Sequence, residues 1–431
     1  MEELGYHYKE LPADLSAPIA VLRWRRRAWI ATAVFAALAL IDALVSGSFD
    51  YVLRGWLMGL MVCLSFCTGG LALLMVQWCS GGKWGLLVRR PLEAMSRTLP
   101  LIFLMFLPIA IFAKRLYIWA RYTDAHAAYM HGLIDAMQAH AIAYKRPYLH
   151  LYGFAGLWAR GILYFIIFGI FVYFLNRWSL QRDTDTEHGN WFWQKRFENL
   201  SGPGLVIYSL VLTGMCVDWV MSLDPTWFSS MYGFLYLVSQ GYAALAMVVL
   251  VTLALSQYEP VKTIMRVKEQ HDLGSLLFAF VMLNIYIAFS QYLVIWSGNL
   301  PLEIRWYMDR ITGGWGPIAG LDFFFHWVLP FFLLLSREVK RNKGKLATVC
   351  CIMLFARFWD TWWLIAPSFA DQRRNLHFVP GMLQYLFVPG ALTALWLVYF
   401  FTQLRTRNLV PLNDPHLPQI LESEHVHAFT T

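Results

Sequence analysis

Charge is scarce in this chain: of its 431 residues 14% are Asp, Glu, Lys or Arg, while 58% are hydrophobic. Ordinary soluble domains carry about 25% charged residues, so the deficit, with a mean hydropathy of +0.48, marks an integral membrane protein. Ten-residue stretches of alternating apolar and polar residues are missing, which excludes a transmembrane β-barrel. Neither C-x-x-C nor C-x-x-C-H occurs among the six cysteines, so disulfides, iron–sulfur clusters and c-type haem have no signature. Cys63 and Cys67 share a helix face and read as small packing residues. Deep histidines are lacking too: His326 alone lies well inside an apolar run, whereas a bis-histidine haem needs two on facing helices. His126, His131, His140 and His150 cluster in one loop without metal-ligand spacing and read as solvent-facing. The chain itself is therefore expected to hold no metal and no redox cofactor. After the polar first 27 residues comes a full-length apolar run rather than a short one with a small-residue cleavage site, so the first span is its own anchor.

What the sequence does have is ten apolar runs of about 20 residues, each long enough to cross a hydrocarbon core of about 30 Å as a helix. They fall near 28–47, 56–79, 98–115, 151–176, 203–223, 231–257, 273–297, 314–337, 346–366 and 381–404. The predicted fold is an all-α membrane protein with a 28–404 transmembrane domain, an N-terminal segment 1–27 and a C-terminal tail 405–431. The net charge of +8 does not signal nucleic acid, because Lys and Arg concentrate in alternate short loops. Arg23 to Arg27, Arg89/Arg90/Arg97, Arg177/Arg182/Lys195, Lys262/Arg266/Lys268 and Arg337 to Lys345 all fall on one side. That side, with both termini, is expected to be the cytoplasm. The long segment between spans three and four, about 116–150, predicts an external helix with Thr123 as N-cap and Leu133, Ile134, Met137 and Ile142 as its apolar stripe. It lies on the membrane, under a partner, or as a lid on the protein's own helices. Trp227, Trp306, Tyr307, Trp315, Trp362 and Trp363 suit an outer aromatic belt.

Polar residues inside the runs are the candidates for chemistry. A charge at mid-membrane costs about 2.5–3.5 kcal/mol on insertion scales, so those present pair with one another or line a path. Asp322 and His326 are four apart on one helix face and can pass a proton. Arg357 and Asp360 are three apart and are either a partner pair or part of the same path. Asp42 and Arg160 read as structural ion-pair members, Arg160 with Asp218 or Asp322. Two aspartates stand in matched surroundings, Asp218 seven residues before Pro225 and Asp360 seven before Pro367. The tripeptide Ala155–Leu157 recurs as Ala319–Leu321, so spans two to five and six to nine form a parallel repeat of two four-helix bundles, with spans one and ten outside. Asp218 has no basic neighbour in sequence, which makes it the expected reactive member of the matched pair.

The run Asp218 to Gly233, DWVMSLDPTWFSSMYG, together with ten spans in two bundles, resembles the NrfD/polysulfide-reductase-type membrane subunits of bacterial alternative complex III. Length and the long third external loop are closer to the ActF-type subunit than to the larger ActC type. The resemblance implies a non-haem subunit of a respiratory quinol:electron-acceptor oxidoreductase in the bacterial inner membrane. Haem c and iron–sulfur clusters would belong to periplasmic partner subunits, and quinol to a paralogous NrfD-like subunit, with other small membrane subunits and lipids as further neighbours. The chain alone would have no complete active site. Asp218, Asp322, His326, Arg357 and Asp360 are the candidates for a proton path. Two alternatives remain: a quinol site in this chain around Asp218, His326 and Asp360, or a purely structural anchor. A secondary transporter is the outside reading.

Overall fold

The computed structural model describes residues 10–122, 124–149 and 155–421. These residues are mostly helical, with no strand among them. Among the described residues ten helices are long and apolar enough to cross a membrane: α1 (Ile19–Ser46), α2 (Phe49–Ser80), α3 (Trp84–Ile111), α4 (Ala155–Thr184), α5 (Asn190–Trp219), α6 (Tyr232–Leu255), α7 (Val267–Gly298), α8 (Trp315–Leu335), α9 (Lys343–Ile365) and α10 (Gln384–Leu404). Several begin earlier than hydropathy predicts. Helix α1 starts nine residues before 28, because the arginines from Arg23 to Arg27 are good helix formers whose long side chains reach past the apolar turn.

The most buried helix is α2, which packs against α3, α5, α6 and α10, while α1 lies against α10. Close approach explains its glycines. A Cβ on Gly55 would stand 2.3 Å from the Gln384 carbonyl oxygen on α10, and one on Gly69 2.5 Å from that of Gln240 on α6. Small residues replace the hydrophobic drive that lipid cannot supply between helices. Replacing Gly69 by alanine should therefore push α6 from α2 and cost about 1–3 kcal/mol, read as a lower unfolding temperature in detergent. Cys63 and Cys67 face this interior, both fully buried.

The external segment differs from the prediction. Instead of one helix over 116–150 there are a turn of helix at Ile118–Arg121, a short helix Ala125–Met130 capped by Asp124, and a longer one, Ala136–Leu149. Gly132, with φ +68°, makes the break. The proposed cap Thr123 lies outside the described residues. Ile134 and Ile142 face the protein and Leu133 and Met137 face out, so the segment is a lid on its own helices. The aromatic belt is likewise mostly internal. Trp227, Trp306 and Trp315 are buried, and Trp227 stacks on Trp306 with ring centroids 4.8 Å apart.

Candidate functional site

Two charged groups occupy the end of the helices that bears this lid, one around each matched aspartate. Both aspartate helices break the same way. Helix α5 gives way to a 3-10 turn at Met221–Leu223 before Pro225, and α9 to one at Ala366–Ser368 around Pro367. The partners differ, because the position three before the aspartate is Arg357 in one case and Met215 in the other.

Asp218 is 1% exposed and fully bonded. Its Oδ2 accepts from Arg160 Nε at 2.7 Å and Tyr164 Oη at 2.9 Å, and its Oδ1 from Tyr148 Oη at 2.8 Å. Arg160 also donates to the Tyr148 carbonyl at 3.0 Å and lies over the Tyr148 ring. Burial, then the Asp218 charge, pushes the Tyr148 hydroxyl up to about 12, so it stays a donor at neutral pH. Lys145 reaches the carbonyls of Pro225 at 2.7 Å and Trp227 at 3.4 Å, and Tyr117 bonds the Trp219 carbonyl at 2.9 Å. The stretch after Asp218 is thus clamped from above. Asp42, by contrast, makes no ion pair among the described residues, and one of its carboxylate oxygens is shut from solvent without a bond.

The second group joins α8 and α9. Arg357 bonds Asp360 through Nη1, and Asp322 Oδ1 lies 3.7 Å from His326 Nδ1, beyond hydrogen-bond reach. All of these residues are buried. Asp322 Oδ1, both His326 ring nitrogens, and Nε and Nη2 of Arg357 have no hydrogen-bond partner among the described residues. One ligating atom each from Asp322, His326 and Asp360 lie within 4.8 Å of one another. His326 owes its position to Pro330. Proline has no N–H to return to the carbonyl four residues back, which is that of His326, and the helix opens into a π turn over Phe324–Val328. The freed carbonyl accepts instead from Tyr242 Oη on α6 at 3.2 Å.

Beside this group is an apolar slot of about 290 Å³, walled by Phe289, Tyr292, Trp306, Phe323, Trp327 and Trp363 and ending on Asp322 and Asp360. Asn284 holds the wall in place. Its Oδ1 accepts from Trp327 Nε1 at 2.7 Å while its Nδ2 donates to Ser239 at 2.8 Å. Over the slot runs a surface helix, Pro301–Ile311. Its Arg310 is buried, has no carboxylate in bridging range among the described residues, and stacks on Trp306 at 3.8 Å. The guanidinium caps the end of α9, donating to the Leu364 carbonyl at 2.9 Å and Ser368 Oγ at 2.7 Å. Burial lowers its pKa to about 10, which leaves it cationic at neutral pH. Asp218 belongs to the other group, so the grouping of Asp218, His326 and Asp360 is replaced by Asp322, His326 and Asp360.

At the opposite end the basic residues read as loop charges are partly buried inside helices. Arg90 and Arg407 bond the fully buried Glu93 at 2.9 and 3.0 Å, and Ser179 donates to it at 2.5 Å. Arg90 also bonds Asp183, and Asn176 ties Arg407 to Ser96. Arg89 donates to Asp414 of the C-terminal segment at 2.5 Å. The one sequence signal was the i,i+3 spacing of Arg90 and Glu93. Between the two ends, Gln240 accepts from Thr68 at 2.7 Å and Tyr208 at 2.9 Å.

Asp414 gives a pH dependence. Burial opposes its charge, but the Arg89 guanidinium and the His416 N–H outweigh that and hold its pKa below the usual value. The tail contact is therefore at full strength above about pH 4 and is lost as pH falls through the lowered value. Asp414→Asn should loosen the tail already at neutral pH, read as faster proteolysis after α10. No protein-family model matches the chain and no curated protein matches its sequence, so its function is argued from these two groups and the slot.

Proposed function

We propose that the chain is a non-haem membrane subunit of a respiratory quinol:electron-acceptor oxidoreductase of the alternative complex III kind, most like the ActF-type subunit. In this reading it supplies assembly surface and a proton-transfer group. The observation that carries the proton part is the Asp322, His326, Asp360 and Arg357 cluster, buried and only partly bonded. Polar side chains continue away from it, through Gln240, Thr68 and Tyr208 to Glu93 at the far end, with gaps that ordered water can bridge. The packing of α2 on α3 and α5, of α6 on α7 and α9, and of α2 on α6 supports two bundles meeting at their centre. The end rich in arginine is the cytoplasmic one, in a bacterial inner membrane, with haem and iron–sulfur subunits on the other side.

The slot favours a second reading in which this chain takes a quinol. An apolar tail would lie among the aromatic walls and a ring hydroxyl would reach Asp322 or Asp360. Purification under mild detergent tests the assignment. The chain should come out with haem-bearing partners and an activity driven by quinol. Transport by the chain alone would sink it, and headgroup density in the slot would select the second reading.

A further inference from the structure

We infer that Asp322, His326 and Asp360 form a binding site for a transition-metal dication of the Zn²⁺ class. Two carboxylates and an imidazole are a ligand set suited to such ions, and their ligating atoms lie within 4.8 Å of one another. Around a tetrahedral ion with bonds of about 2.1 Å, ligand atoms stand about 3.4 Å apart, so the site closes by small side-chain rotations. An independent observation points the same way. His326 is 1% exposed and neither of its ring nitrogens has a hydrogen-bond partner among the described residues, which is costly for an imidazole unless something else is bound. The π turn that Pro330 imposes sets His326 in that position, and the Tyr242 bond holds it. Asp322 and Asp360 both line the slot, which gives the ion a route in.

Arg357 sets the strength of the site. It already bonds one oxygen of Asp360 and leaves the other free, and its charge repels an incoming dication. The inference is independent of the respiratory reading, since it concerns equilibrium binding.

Co²⁺ is the probe, added to the purified full-length protein and followed by its ligand-field absorption, with Zn²⁺ as competitor. One equivalent is expected to bind. His326→Gln, Asp322→Asn and Asp360→Asn should each weaken binding at least tenfold, and Arg357→Gln should tighten it by roughly tenfold or more. His326→Cys guards against simple misfolding, because it should bind Co²⁺ with a sulfur charge-transfer band. Failure of the wild-type protein to bind saturably overturns the inference. So does unchanged binding in His326→Gln, which would place the ion on exposed residues such as His126 and His140.

Discussion

Under the proposed proton-transfer role, Asp322→Asn is expected to lower quinol-linked turnover of the assembled complex by about 100-fold, the effect of losing a positioned acid–base group. The reasoning is a charge count. Two buried carboxylates and one guanidinium leave the cluster one charge short of neutral, and burial disfavours a net charge. In the proton-transfer reading a mobile proton closes the count when no metal ion is bound. Asparagine at 322 makes the group neutral without it and leaves nothing to hand on. Turnover and proton release, measured with a soluble quinol in the same preparation, check this. Asp218→Asn should change either by less than about threefold, because three donors already satisfy that carboxylate. If Asp218→Asn proves the more damaging, the proton-transfer role moves to the first group.

The second large effect is on stability. Arg160→Met should destabilise the protein by about 3–5 kcal/mol, the cost of stranding a buried carboxylate without its ionic partner. The reverse change is milder. The Arg160 side chain is 15% exposed and keeps the Tyr148 carbonyl, so Asp218→Asn should cost about 1–2 kcal/mol. The double variant should regain most of the Arg160→Met loss. Unfolding temperatures of the four proteins in detergent form the cycle, and additive losses would show that the pair is not coupled.

Hydropathy located all ten long helices because the signal is local, a run of apolar residues of sufficient length. Proline seven residues beyond Asp218 and Asp360 marked the two positions as matched, and the structure adds that both helices give way to a 3-10 turn there. Partners were legible only as alternatives, Asp218 or Asp322 for Arg160, and the structure forms the first. Arg160 is 58 residues from Asp218, and only packing of α4 on α5 brings them together. This is why Asp218, the expected reactive member, turns out to be the better-bonded one. Asp322 and His326 were readable from their spacing, yet their union with Asp360 needed the contact of α8 with α9. Arg89 and Arg90 misled most, since clusters of basic residues between apolar runs read as solvent-exposed loops. Helix α3 starts at Trp84 and carries both arginines into the interior, where Glu93 and Asp414 meet them.

The contact between Arg89 and Asp414 also bears on how the chain matures. The two residues are 325 positions apart, and Arg407 stands 314 from the Glu93 it bonds. During synthesis α2 and α3 are made while these partners are still untranslated, so Arg89 waits with Gln77 as its remaining bonded side chain. The Leu409 N–H closes on the Leu15 carbonyl at 2.9 Å, joining the segment before α1 to the one after α10. A chain cut before residue 407 would keep its ten apolar helices yet leave this clasp open, since Arg407, Leu409 and Asp414 supply its second half.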